Sequence, residues 1–290
     1  MVRKNKTPTV RCGAVQQITT WRDPANNISR SLAYCDKAAK RGVQILCFPE
    51  CAVSGGFDWL KVTGAREKLF AEPVPGPVVN AFAAKARQTG MYIIMGMIEQ
   101  PRGSAKQYNT AFVVGPEEGY IGKQRKVFSS FEDGTEANVF ETRYGTIGIF
   151  ICADMRSPEL SRLLALKGAK ILFQPTNYSH PDMRDPYAIR RKYLGKVASQ
   201  RCRAMENGLP LIIANGGQAG YVNNSRIITA EGQGPEVVLA RATRKDQLIV
   251  ADVPYNPADN SACALARSRP WLWRELARAA RAAARRRPER

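Results

Sequence analysis

Short apolar runs alternate along this chain with longer segments whose apolar positions recur every three or four residues. Val10–Gln17 and VQILCF (Val43–Phe48) read as strands, the second buried on both faces by its composition. Between them, Asn26–Arg41 carries Ile28, Leu32, Cys35 and Ala39 at helical spacing, and Gly42 follows where a C-terminal cap sits. Gly76–Gly90 reads as a helix opened by proline and closed by glycine. MYIIMGMI and YNTAFVVG are strands, and PEEG (Pro116–Gly119) is a turn before a further strand starting at Tyr120–Ile121.

The second half repeats the alternation. GTIGIFI (Gly145–Ile151) is a strand, and Ser157-Pro158-Glu159 has the N-cap, proline and acidic first-turn order of a helix running to Gly168. AKILFQP is the next strand, Pro186–Asn207 a long helix, LPLIIAN a strand, and the stretch to Val253 is strand-rich. Strands alternating with helices predict a layered α/β fold.

Composition changes this picture little. The 290 residues, 44% hydrophobic and 24% charged, suffice for one sizeable soluble domain. MVRKNKTPTVRCG lacks a signal-like apolar core and no later run approaches a membrane span, so cytoplasmic residence is expected. Seven cysteines without a CxxC pair argue against a disulfide framework. Cys47 and Cys51 lack the second pair or histidine cluster a metal needs, so no metal is expected.

Three reactive side chains stand at strand ends, where open α/β sheets bind ligands. Glu50 follows QILCFP, Lys126 lies in GKQRK, and Cys152 follows GTIGIFI. Singly, each has a plain reading: a solvated loop carboxylate, a solvated lysine and a small core thiol. Together they form a chemical device. A carboxylate serves as general base for a thiol when a nearby lysine holds positive charge over the site. The lysine and the backbone N–H of Ala153, the residue after the thiol, would then stabilise an oxyanion. The chain's one histidine, His180 in NYSHPD, is a candidate pocket residue or a polar loop residue.

The order and spacing of these motifs resemble the carbon–nitrogen hydrolase (nitrilase) superfamily. LCFPECAVSGG matches its F-P-E motif at Glu50. YNTAFVVGPEEGYIGKQRK matches its lysine motif at Lys126, with Lys123 the alternative. GIFICADMRSPE matches its cysteine motif at Cys152. AEPVPGP, RCRAMENGLPLIIAN and SRIITAEG extend the likeness over roughly Thr9 to Asn256. The resemblance implies a four-layer α-β-β-α sandwich of the nitrilase type, commonly paired into a homodimer or higher homo-oligomer, and no cofactor. It implies a thiol hydrolase of the amidase or carbamoylase kind. A Glu50-Lys126-Cys152 triad would cleave a small amide or N-carbamoyl substrate through a thioester, releasing ammonia or an amine.

Two departures stand out. The lysine motif continues as Lys126-Val127-Phe128-Ser129 instead of the usual K-x-H-L, and Ala153 stands where many amidases carry a bulky aromatic residue. The family's second, assisting glutamate falls in FSSFEDGTE, where Glu132 is the candidate and Glu136 the less well placed one. Asp154, Arg156 and Glu159 read as scaffolding around the cysteine turn, and Glu206 and Asn207 as helix-end residues.

Net charge changes the picture at the far end. Of the formal +19, residues 267–290 supply +7 from nine arginines and two glutamates. The organisation expected is a hydrolase domain over 9–256, a tether over 257–270 and a basic amphipathic helix over 271–290. In that helix Leu272, Leu276, Ala279 and Ala283 share one face, with Arg274, Arg278, Arg281 and Arg285 opposite. Such a helix docks on its own domain or on a second subunit, or binds nucleic acid or an anionic membrane. Two alternatives therefore stand beside the hydrolase: a catalytically silent binding protein of the same fold using this tail, and an acyltransferase with the same triad.

Overall fold

Alternation within strands decides which face each residue serves, and β1 (Thr9–Gln16) and β3 (Tyr92–Glu99) show it directly. Val10, Cys12 and Ala14 of β1, with Tyr92 and Ile94 of β3, face a second sheet. Val15, Ile93, Met95 and Met97 face helices instead. β3 is buried on both faces along its whole length, which leaves no polar alternation and explains its continuous apolar run, whereas β1 exposes Thr9 and Arg11 at its start.

The computed structural model of the chain describes residues 7–55, 70–178, 186–217, 225–229, 237–243 and 245–285; the side chains of 186–190, 192 and 193 fall outside that description. The first sheet adds β2 (Ile45–Cys47), β4 (Tyr108–Gly115), β5 (Gly119–Arg125) and β12 (Gln247–Pro254), in the order β12-β1-β2-β3-β4-β5. The second holds β6 (Val139–Phe140), β7 (Ile147–Ile149), β8 (Ile171–Thr176), β9 (Leu211–Asn215), β10 (Arg226–Thr229) and β11 (Val237–Arg241), in the order β11-β10-β9-β8-β7-β6. β1, β2 and β3 run parallel at the centre of the first sheet, and β7, β8 and β9 in the second.

Helices α1 (Pro24–Ala39) and α2 (Pro77–Thr89) cover the first sheet, while α3 (Pro158–Leu166) and α4 (Pro186–Met205) pack on the second. The expected four-layer α-β-β-α sandwich is therefore present. β2 packs across the interior against β8 and β9, so loops after parallel strands of both sheets meet at one end. That placement brings residues distant in sequence into one site.

Two local expectations change. Ser157 occupies the N-cap of α3, but its hydroxyl donates to Glu159 at 2.7 Å instead of capping a backbone N–H. The stretch expected as a tether contains α5 (Ser261–Ser268), capped by Asn260, whose amide also donates to the carbonyls of Ala165 and Ala169. These bonds fasten it to the end of α3. Beyond it, α6 (Pro270–Arg285) buries none of its residues, so it does not dock its apolar face on the domain.

Candidate active site

Pro49 ends β2 and turns the chain so that Glu50 enters the interior, where it is almost fully buried. A glycine makes this turn possible. A Cβ on Gly96 of β3 would stand 2.4 Å from the Pro49 carbonyl oxygen and 2.8 Å from the Cys51 nitrogen. Cys51, next after Glu50, takes a left-handed φ of 54°.

Lys126 follows β5, held by its own N–H donating to the Asn109 carbonyl at 2.8 Å. Its ammonium donates to Glu50 Oε1 at 2.6 Å, and the Asn109 amide donates to the same oxygen at 2.7 Å. Burial works against the Lys126 charge. The opposing pull of Glu50, together with Cys152 and Cys51, is stronger and holds its pKa above the ordinary lysine value. Lys123 goes elsewhere: it meets Glu99 at 2.6 Å and the Val74 carbonyl at 2.8 Å. Of the two lysines, Lys126 is thus the one that contacts Glu50.

Cys152 opens a short 3-10 turn, Cys152–Arg156, after β7 and has φ 49°. A left-handed non-glycine residue costs about 1–2 kcal/mol, and such strain concentrates where function requires a fixed geometry. The turn is held from several sides. Asp154 accepts from Ile151 N at 2.9 Å, Val127 N at 3.0 Å and Phe128 N at 2.9 Å, tying the cysteine turn to the segment after Lys126. Gln174 donates to the Cys152 carbonyl at 3.1 Å, Gln200 donates to Gln174 at 2.7 Å, and Arg226 donates to Gln200 at 2.9 Å. Arg203 donates to the Met155 carbonyl at 2.9 Å.

Burial, followed by the Glu50 charge, pushes the Cys152 thiol up; Lys126, Lys196 and Thr176 act the other way. Burial also lifts Asp154, to about 6, despite the three N–H groups it accepts from. Thr176, at the end of β8, has its Oγ1 buried beside the Cys152 thiol and the Tyr178 hydroxyl without a conventional hydrogen-bond partner among the described residues. Tyr178 donates to Met155 Sδ at 2.9 Å, and the Lys196 ammonium stands 3.4 Å from the centre of its ring.

Of the residues expected from the sequence, Glu50, Lys126 and Cys152 meet in this buried cluster, with half-buried Ala153 directly after the thiol. The first N–H groups of a helical turn have no carbonyl behind them to bond, which leaves that of Ala153 suited to an oxyanion. Glu132 turns to Lys106, at 3.4 Å on the surface, and Glu136 accepts from Asn138 at 3.3 Å; neither bonds to the three. His180 lies outside the described residues. Asp154 does the scaffolding expected of it. Arg156 is exposed with no ion pair among the described residues, and Glu159 serves Ser157.

Sequence reasoning missed Asn109, Gln174, Lys196 and Arg203. Their only sequence signal is polarity inside or beside apolar segments, as at Asn109 in YNTAFVVG and Gln174 in ILFQP. Among the described residues, no cluster of histidine, cysteine or acidic side chains fits a metal, and all seven cysteines are free thiols.

Residues 11–259 match the carbon–nitrogen hydrolase family. A nitrilase of Pyrococcus abyssi is 30% identical over 84% of this chain and 89% of its own length. An omega-amidase of Xenopus tropicalis is 28% identical over 79% and 83% respectively. Among solved structures, a branch 10 nitrilase-superfamily member of Saccharomyces cerevisiae superposes with a TM-score of 0.71 at 21% identity, covering 85% of this chain and 90% of that one. An amidase of Nesterenkonia sp. gives 0.67 at 21% identity, covering 87% and 93%.

Proposed function

The chain belongs to the carbon–nitrogen hydrolase family and is a hydrolase of that kind, and we propose that it cleaves small amides through a Cys152 thioester with Glu50 as the base. The observation that carries this reading is the buried Glu50–Lys126 contact of 2.6 Å, facing a cysteine fixed in a strained turn.

Among the described residues, the two hydrogen bonds to Glu50 fall on Oε1, which leaves Oε2 for proton transfer. Because burial favours the neutral thiol, Glu50 takes the Cys152 proton as the sulfur attacks. A C–S bond forms and the carbonyl π electrons move onto oxygen. The Lys126 ammonium and the Ala153 N–H stabilise that oxyanion. Collapse breaks the C–N bond, and the proton held by Glu50 leaves with the nitrogen as ammonia or an amine. Water then gives a proton to Glu50 and adds to the thioester. The second collapse expels the Cys152 sulfur, which recovers its proton from Glu50, and releases a carboxylic acid.

An amide substrate is favoured by relatives that are named amidase and omega-amidase, and an N-carbamoyl group presents the same carbonyl to the thiol. The test is ammonia release from short primary amides, N-carbamoyl amino acids and nitriles, by wild type and Cys152→Ala. The reading expects release from an amide or N-carbamoyl compound and none from the variant. Turnover of nitriles alone would overturn the substrate class, and an active Cys152→Ala would overturn the mechanism.

A further inference from the structure

Helix α6 has two unlike faces, and the domain covers neither. At about 100° per residue, its four arginines (274, 278, 281 and 285) fall within an arc of about 60°. Leu272, Leu276, Ala279 and Ala283 fall within a similar arc on the opposite side. Leu276 is 50% exposed, Leu272 38% and Trp271 57%, and the helix's main packing is against α5, which fastens it to the body. Its described ion pair, Arg278 with Glu275, leaves the stripe strongly basic.

Each kind of partner would use this surface differently. A nucleic acid would engage the arginine stripe and leave the leucines in water. A second copy would cover the leucines and leave the arginines unused. An anionic bilayer uses both. The apolar side enters the boundary between headgroups and acyl chains, while the arginines lie within the negative surface potential. No described helix is long and apolar enough to cross a membrane, so contact is in the plane of the interface.

We propose that α6 docks the protein on anionic lipid surfaces, with Leu272 and Leu276 inserted and Arg274, Arg278, Arg281 and Arg285 supplying the attraction. Half of the apolar side is alanine, so it needs the charge, and the charge alone is screened by salt. Binding therefore requires both faces.

The experiment is co-sedimentation of the full chain with vesicles of phosphatidylcholine alone and with about one third phosphatidylglycerol. It compares wild type, Leu272→Glu/Leu276→Glu and Arg278→Ala/Arg281→Ala. All the changed side chains are exposed, and circular dichroism with amide turnover checks that each variant is folded. Wild type should bind only the anionic vesicles, release with rising salt, and shift its tryptophan emission to the blue. The arginine pair should lower partitioning about thirtyfold, at about fivefold per arginine, and the glutamate pair should abolish it.

Three results would overturn the proposal. One is wild type remaining in the supernatant with both vesicle types. Another is binding that the leucine changes leave intact. The third is a leucine variant that alters only the sedimentation mass of the free protein, which would assign the apolar face to a second copy.

Discussion

Replacing Glu50 by glutamine removes one buried charge while keeping an oxygen that accepts from Lys126 and Asn109. Lys126 is then a buried ammonium with a neutral neighbour where a carboxylate stood at 2.6 Å. Breaking a buried ion pair on one side costs about 3–5 kcal/mol. The loss has a ceiling, because the lysine can shed its proton. From an ordinary value of about 10.4, holding a lysine neutral at pH 7 costs about 4.6 kcal/mol, and at pH 9 about 1.9 kcal/mol. The folded variant then binds one proton fewer than its unfolded chain, so its stability gains on wild type as pH rises. Glu50→Gln should therefore be about 3–5 kcal/mol less stable than wild type at pH 7 and about 2 kcal/mol less at pH 9. Urea unfolding followed by circular dichroism at pH 7, 8 and 9 measures this. Adding Lys126→Met removes the orphaned charge and should recover stability at pH 7. A deficit unchanged between pH 7 and 9, with no recovery in the double variant, would refute the buried-pair reasoning.

Other substitutions probe the supports of the site. Gly96→Ala drives a methyl group into the Pro49–Cys51 backbone and should cost about 1–3 kcal/mol, with kcat falling more than KM rises; a wild-type kcat would show that Glu50 needs no such close packing. The Asp154 carboxyl lies at about 6 in the fold against an ordinary 3.8, so its contribution to stability is complete below pH 3.8 and is lost as pH rises through 6. Wild type should thus lose about 3 kcal/mol relative to Asp154→Asn across that window, and parallel stability profiles in urea would contradict it. Lys196→Met should move the alkylation profile of Cys152 to higher pH, with Lys196→Arg restoring it; profiles that coincide would remove Lys196 from the electrostatics of the thiol.

Long apolar strands were legible because burial on both faces leaves a continuous signature, as in β3 and β4. β6 was not, since two residues carry no period. The ends of strands carried Glu50, Lys126 and Cys152, and motif order was enough to expect these three side chains in one place, where the fold puts them. Choosing Lys126 over Lys123 rested on that likeness alone. Alternate residues of a strand share a face only while the strand continues; β5 stops at Arg125, and the turn after it carries Lys126 to Glu50 while Lys123 stays with Glu99. The supporting shell of Asn109, Gln174, Gln200 and Arg203 was not legible, because a buried amide's role depends on partners up to 59 residues away, as for Asn109 and Glu50. Nor was the freedom of α6, since an amphipathic pattern states that a face is apolar and not what covers it.

The most direct test of the central claim is to trap the acyl-enzyme. Wild type would be mixed with whichever primary amide releases ammonia fastest, quenched in acid within a few turnovers, digested and mapped by mass spectrometry. The expected result is the acyl group as a hydroxylamine-labile thioester on the Cys152 peptide, accumulating no faster than the first equivalent of ammonia, and absent in Glu50→Gln quenched at the same time. Ammonia release with no acyl group on Cys152, or an acyl group on another residue, would contradict it.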